Sequence, residues 1–228
     1  MQTVTEKDSA VLPDEVPEKV FETPKEKPVY DICKRIFDVV MAALALIVLS
    51  PVFLVTAIAI YAEDKGPAIY SQTRLTKGGK EFKMYKFRSM CVDADEKLKD
   101  LMDLNEMTGP AFKIADDPRV TKVGRFIRKT SIDELPQLVN ILLGDMTIIG
   151  PRPPLPREVA LYNEYQMHRL DVKTGLACYH ECLGRSDSHS FDEWVEQDLR
   201  YIRERSMLTD IKIIFLTAKA VLTGKGAV

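Results

Sequence analysis

The sequence predicts an α+β protein, mainly helical, in which one long apolar segment precedes a small domain with a β-hairpin and amphipathic helices. Three observations predict it. Val39 to Ala62 is apolar except for Ser50, Pro51 and Thr56, about the length that a bilayer-spanning helix needs. Ala68 to Leu75 and Glu81 to Met90 alternate around the turn Lys77-Gly78-Gly79-Lys80, which reads as a hairpin. Beyond Asp93, apolar residues recur mostly at helical spacing.

A chain of 228 residues can bury one good-sized core. Its net charge of −2 selects no class of partner, but the charge is uneven. Residues 74–88 carry six Lys/Arg against one acid, and residues 113–129 carry six against two. Two basic segments in one domain fit a polyanionic ligand, although such alternation is also common on solvated surfaces. The four cysteines (Cys33, Cys91, Cys178, Cys182) make no disulfide framework in a chain of this length and suit a reducing compartment. Cys178-Tyr179-His180-Glu181-Cys182 invites a metal reading, but its spacing matches no zinc motif, and local packing accounts for it as well.

Taken in order, residues 1–30 form an acidic tail with Pro13, Pro17, Pro24 and Pro28, expected to be disordered and without a catalytic role. It lacks the charge-then-apolar pattern of a signal peptide. In the apolar segment, Ser50-Pro51 falls near the midpoint, where proline frees a carbonyl and the serine hydroxyl can satisfy it. Lys34 and Arg35 precede the segment, and Lys65 and Arg74 follow it, so flanking charge sets no orientation. A re-entrant helix-hairpin and a kinked spanning helix both fit. On the second hairpin strand, Phe82, Met84, Lys86 and Arg88 share one face, where the cations either reach solvent or meet a buried anion. Asp93 to Met107 is expected as a helix, ended by Gly109-Pro110. Phe112 to Lys129 is expected as a connection, with a turn at Asp117-Pro118-Arg119 and with Val123, Phe126 and Ile127 in the core.

The run Lys129 to Gln137 organises the rest. Pro136 is tolerated in the first turn of a helix, and Leu135, Leu138, Val139, Ile141, Leu142 and Leu143 continue one up to Gly144. Asp133 and Glu134 are thereby expected at its N-terminus, where the helix dipole favours carboxylates and also phosphate. With Arg125, Arg128 and Lys129 upstream, the pair could hold a divalent metal and a phosphate together; an ordinary capping pair, Ser131 with Glu134, fits as well. Met146 to Ile149 is a short strand candidate. It leads to Gly150-Pro151-Arg152-Pro153-Pro154, whose prolines stiffen the presentation of Arg152 for bidentate phosphate binding, or simply make a rigid surface loop. Helices are expected over Glu158 to Leu170, over Phe191 to Arg205 with Ser190 as cap, and over Leu208 to Leu222. The last places Leu208, Ile211, Ile214, Phe215, Ala218, Val221 and Leu222 on one side, to pack on the domain or lie in a membrane interface. There is no dinucleotide or P-loop fingerprint and no nucleophile pairing of the Ser/His/Asp or Cys/His kind.

From about Tyr30 onward the chain resembles the bacterial sugar transferase family, the monotopic polyprenyl-phosphate phosphoglycosyl transferases that start surface glycan synthesis. The resemblance rests on seven motifs beside the Ser50-Pro51 break: Lys34-Arg35-Ile36-Phe37-Asp38, Tyr85-Lys86-Phe87-Arg88-Ser89-Met90, Asp116-Asp117-Pro118-Arg119-Val120-Thr121, Gly124-Arg125-Phe126-Ile127-Arg128, Asp133-Glu134-Leu135-Pro136-Gln137, Gly144-Asp145-Met146 and Gly150-Pro151-Arg152-Pro153. Each is weak alone; in this order over most of the chain they are specific. Larger members carry an extra N-terminal transmembrane module, so the chain looks like the minimal single-domain form.

The resemblance implies transfer of a sugar 1-phosphate from a UDP-sugar to undecaprenyl phosphate, with release of UMP. It implies Asp133 as nucleophile and Glu134 as ligand of Mg²⁺. Lys86, Arg88, Arg119, Arg125, Arg128 and Arg152 are its phosphate-contact candidates, Arg152 foremost; Gln137, Asp145 and Arg185 are further candidates on the donor side. It also implies a re-entrant helix over residues 31–64 broken at Ser50-Pro51, and a catalytic domain over residues 65–228 on the cytosolic face of the bacterial inner membrane. Expected partners are the bilayer and downstream glycosyltransferases, not nucleic acid, and a homodimer is compatible. One stretch departs: many members read Val-Lys-Pro-Gly-Ile-Thr-Gly-Leu-Trp-Gln where this chain has Val172-Lys173-Thr174-Gly175-Leu176-Ala177-Cys178-Tyr179-His180-Glu181, before Gly184-Arg185-Ser186. That puts donor preference in doubt more than chemistry. A non-catalytic scaffold and a UDP-sugar hydrolase using the same phospho-enzyme are the competing classes.

Overall fold

The computed structural model describes residues 21–22, 25–97, 101, 110, 114, 117–184 and 190–223. Helix α1 (Pro28–Val48) opens with proline in its first turn, and α2 (Ser50–Asp64) follows after Leu49 with a bend of 61°. The chemistry of the bend is local. Pro51 has no amide for the carbonyl of Ile47, and the Ser50 hydroxyl donates to that carbonyl instead at 2.8 Å. No single helix among the described residues is long and apolar enough to cross a membrane, whereas the bent pair passes that test together. Ile36, Leu44, Ile47, Val48, Leu54, Val55 and Ile58 stand exposed along it.

Strands β1 (Ile69–Leu75) and β2 (Glu81–Phe87) form the antiparallel hairpin, with Gln72 opposite Met84 and Arg74 opposite Phe82. The expected helix from Asp93 is described only as α3 (Ala94–Lys97), and most of its remainder lies outside the described residues. The end of the connection to Lys129 is itself helical, α4 (Lys122–Lys129), capped by the Thr121 hydroxyl accepting from the Gly124 amide. Ile127 is buried there, but Phe126 is 61% exposed, against the expectation that both are core. Helix α5 (Gln137–Leu143) ends at Gly144 in the left-handed conformation.

A second sheet pairs β3 (Thr147–Ile149) in parallel with β4 (Gly175–Ala177), a strand not anticipated from the sequence. The two strands approach so closely that a Cβ on Gly175 would lie 2.1 Å from the Gly150 nitrogen, so only glycine fits. The single helix expected over 158–170 is broken into α6 (Pro156–Val159), α7 (Glu164–Met167) and a 3-10 turn (His168–Leu170). The cause is Asn163, whose side chain accepts from the Gln166 amide while Gln166 reaches back to the Asn163 amide, starting a new helix. Helices α8 (Tyr179–Gly184), α9 (Phe191–Glu204, Ser190 as cap) and α10 (Met207–Thr223) complete the chain.

The apolar side of α10, expected either to pack on the domain or to lie in a membrane interface, leaves Leu208, Ile211 and Phe215 exposed. Asp210 and Ile213 are buried, while Leu208 and Phe215 of the apolar stripe are 81% and 71% exposed. The inward side is fixed by polar bonds: Asp210 meets Lys34 at 2.7 Å, Tyr201 at 2.9 Å and Tyr30 at 3.0 Å. The tail also departs from the sequence reading at one point. Phe21 is buried against Tyr165 and His168, with Arg203 over its ring.

Three apolar clusters hold the layers. Ala42, Phe82, Met84, Leu138, Ile141 and Met146 join α1, β2 and α5. Ile60, Phe87 and Ile127 join α2, β2 and α4. A third, around Ile149, Val195, Leu199, Ile202 and Ile213, unites β3, α9 and α10. Strand β2 therefore buries Phe82 and Met84 on one face and Phe87 at its end on the other, while Glu81 and Lys83 stay exposed.

Candidate active site

The Asp133-Glu134 pair lies one turn ahead of α5, in a 3-10 turn (Ile132–Glu134) entered through Ser131 at φ 57. This corrects the expectation that the pair begins the apolar helix. Pro136 caps α5 instead, because its fixed φ suits helix entry and it has no amide to leave unbonded. Ser131 makes no side-chain capping bond. Asp133 is buried, and Glu134 accepts a hydrogen bond from the Lys86 ammonium at 2.8 Å.

Lys86 is delivered by β2, which is locked to α5 by one side chain. Asn140, fully buried, accepts from the Tyr85 amide at 2.9 Å and donates to the Lys83 carbonyl at 2.7 Å, standing in for a third strand. Helix α5 is in turn held by α1. Arg35 donates to the Ile141 and Leu142 carbonyls at 2.6 and 2.9 Å, and buried Asp38 accepts from the Ile148 amide and the Thr147 hydroxyl at the start of β3. The apolar segment is thus bolted to the back of the element that carries the carboxylates.

Glu134 opens onto a cleft lined by Arg74, Met84, Lys86, Gln137, Arg152, Pro153, Gly175 and Leu176. The cations come from three elements: Arg74 from β1, Lys86 from β2 and Arg152 from the Pro-Arg-Pro loop after β3. Arg74 is held by Gln72 and donates to the Pro153 carbonyl at 2.9 Å, pinning that loop. Burial, then the positive charge of Arg152, pull the Arg74 guanidinium down to about 10. Like charges crowded this way are relieved by an anion between them. Arg128 donates to the Ser89 hydroxyl at 2.9 Å; burial pushes its guanidinium down, and the charge of Asp133 works the other way.

Of the sequence candidates, the structure brings Lys86, Glu134, Gln137 and Arg152 together at the cleft, with Asp133 in the same turn and Arg128 within its electrostatic reach. Arg88 is placed elsewhere. It forms a bidentate pair with Asp64 at the end of α2 and donates to the Pro67 carbonyl at 2.6 Å. Arg119 forms a buried pair with Asp117 at 2.6 Å and also donates to the Ala94 carbonyl. Arg125 is exposed on α4, and Asp145 does not line the cleft; its carbonyl accepts from Thr76. Arg185 lies outside the described residues. Arg74, Asn140, Arg35 and Asp38 were not anticipated as parts of the site or its supports. For Arg74 a signal existed: pairing the hairpin around Lys77-Gly78-Gly79-Lys80 puts it opposite Phe82, on the face of Met84 and Lys86.

No group of three or more His, Cys, Asp or Glu placed to hold a metal occurs among the described residues. The cleft therefore suits a hard divalent cation only as part of a shared site, one or two carboxylates plus phosphate oxygens brought by a substrate. Glu134, at the cleft edge and partly exposed, fits that role.

A family model described as bacterial sugar transferase matches residues 29–224. The chain is 50% identical over 198 residues to galactosyl transferase CpsE of Streptococcus agalactiae, covering 86% of this chain and 43% of that protein. It is 42% identical over 199 residues to the undecaprenyl-phosphate galactose phosphotransferase of Salmonella typhimurium, 85% of this chain and 41% of that protein. It is 40% identical over 210 residues to the exopolysaccharide production protein ExoY of Sinorhizobium fredii, 90% and 92% respectively. The chain thus spans less than half of the first two relatives and most of the third.

Proposed function

The chain belongs to the bacterial sugar transferase family, and on that premise we propose that it transfers a sugar 1-phosphate from a UDP-sugar to undecaprenyl phosphate. The observation that carries the proposal is the Asp133-Glu134 turn set beside a cleft with Lys86, Arg74 and Arg152 around it. A carboxylate next to converging cations suits in-line attack on a diphosphate. In this reading an Asp133 oxygen attacks the β-phosphorus and the bond to the bridging oxygen breaks. UMP leaves with that oxygen, and the sugar phosphate stays on Asp133. An oxygen of the lipid phosphate then attacks the same phosphorus and releases the Asp133 carboxylate. Arg152, Arg74 and Lys86 hold the phosphoryl oxygens, and burial of Asp133 keeps water from competing. Mg²⁺, held by Glu134, would supply further neutralisation of the phosphates.

The same reading seats the protein on the cytosolic face of the inner membrane through α1 and α2 as a re-entrant hairpin. Support comes from the 61° bend, the Ser50–Ile47 bond that stabilises it, and the exposed apolar residues on both arms. The relatives named for undecaprenyl-phosphate transfer, and those named for exopolysaccharide production, favour a role in starting a surface glycan, with downstream glycosyltransferases as consumers of the lipid-linked product. The test is UMP release from a panel of UDP-sugars by purified protein with Mg²⁺, with and without undecaprenyl phosphate, beside Asp133→Asn. Lipid-dependent release with one donor, abolished in the variant, is the expected result. Sustained release without lipid would replace transfer by hydrolysis, and no release with any donor would favour a scaffold.

A further inference from the structure

Arg152 lies with its guanidinium carbon 5.7 Å from the ring centroid of Trp194 on α9. On the same indole stacks the imidazole of His180, 4.9 Å away and tilted by only 19°. Beneath these, Arg169 is fully enclosed. It pairs with Asp198 at 2.8 Å and lies 5.2 Å from the Trp194 ring, 5.5 Å from Tyr162 and 5.6 Å from Phe191. The indole is therefore held by a rigid cation–aromatic block, not by a mobile surface. Arg152 needs such support. Its positive charge is felt by both Arg74 and Arg128, whose guanidinium pKa values burial lowers and this charge lowers further. The Arg74–Pro153 bond fixes the loop backbone, and the indole face lies against the guanidinium that the loop carries. An aromatic face attracts a guanidinium and orients its plane, so that less freedom is lost when the group grips phosphate.

We propose that Trp194 is a positioning residue that holds Arg152 over the cleft, and that His180 fixes the attitude of the indole. The inference rests on the reading of the cleft as a site for the donor's phosphates. It also gives the departing stretch after Gly175 a task. His180 stands where many members have tryptophan, and in this chain it stacks on the same indole that Arg152 faces.

Trp194 is the only tryptophan in the chain, so its fluorescence reports this one place. Titrating the full-length protein with UDP should change the emission saturably, as phosphate gripped by Arg152 alters the charge resting beside the indole. In Arg152→Met that change should vanish. In steady-state assays, Trp194→Leu should raise the KM for the UDP-sugar by about five- to thirty-fold, the worth of a cation–π contact, with kcat within about twofold. Trp194→Phe, which keeps an aromatic face, should recover most of the loss. An emission that ignores UDP, a KM unmoved by Trp194→Leu, or a joint collapse of kcat and melting temperature that phenylalanine does not rescue would each overturn the proposal. Should the protein turn out not to use UDP-sugars as transfer donors, the fluorescence arm still decides the matter, because it needs only the nucleotide.

Discussion

Removing the carboxylate of Asp210 tests how α1 is tied to the C-terminal helices. Asp210 is 2% exposed and accepts from the Lys34 ammonium at 2.7 Å, which is itself 12% exposed. It also meets the Tyr30 hydroxyl at 3.0 Å. The Tyr201 hydroxyl lies 2.9 Å from both Asp210 and the Ile149 carbonyl, and its single proton is shared between them. Asp210→Asn leaves the Lys34 charge without its counter-ion where water hardly reaches. Breaking a buried pair in this way costs about 3–5 kcal/mol. For a chain of this length each kcal/mol moves the melting temperature by about 2–4 °C, so the variant should melt about 6–20 °C lower. Replacing both partners, Lys34→Met with Asp210→Leu, removes the uncompensated charge and should recover most of the loss, giving a coupling energy above about 1 kcal/mol. The assay is thermal unfolding in detergent micelles followed by far-ultraviolet circular dichroism. A single variant within about 2 °C of the parent, or a double variant as unstable as the sum of the singles, would refute the reasoning.

Asn140→Ala should cost about 2–5 kcal/mol in the same assay, because it strands the Tyr85 amide and the Lys83 carbonyl together; a loss below about 0.5 kcal/mol would mean that β2 does not depend on this clamp. Pro51→Ala returns an amide that can bond the Ile47 carbonyl, so the segment should straighten. Cysteine reporters at residues 27 and 65 should then label from opposite sides of a vesicle instead of the same side, and unchanged labelling would show that the bend does not depend on the proline. Burial pushes the Tyr162 phenol from 10.0 to about 12. A raised folded value means that its contribution to stability is whole below pH 10 and is lost as pH rises through about 12; the alkaline fall in melting temperature over that window should flatten in Tyr162→Phe, and an identical slope would contradict it.

Local chemistry was legible wherever neighbouring residues decide the conformation. The break at Ser50-Pro51, the hairpin around Lys77-Gly78-Gly79-Lys80, the stop at Gly144 and the Ser190 cap all follow from backbone bonds that a residue makes or cannot make within a few positions. Lys86, Glu134, Gln137 and Arg152, drawn from three of the sequence motifs, line one cleft. Charge signs alone could not separate the arginines. Arg88 and Arg119 sit in basic segments like the others, yet Asp64 and Asp117 take them up, and each carboxylate offsets the cost of burying its guanidinium.

The bent apolar segment, the hairpin, the Ser190-capped helix and the family were legible in the chain, because periodicity, prolines, glycines and ordered motifs are properties of one dimension. Which side of each element is buried, and which cations converge, depends instead on contacts between distant segments. Helix α10 buries Asp210 and leaves Leu208 and Phe215 exposed, because Lys34, Tyr30 and Tyr201, all distant in sequence, offer the bonds that make burying a carboxylate affordable. Arg74 reaches the cleft only because β1 pairs with β2, and Trp194 reaches Arg152 only because α9 lies against the sheet of β3 and β4. Such encounters depend on packing between segments far apart in the chain, and no local pattern encodes them.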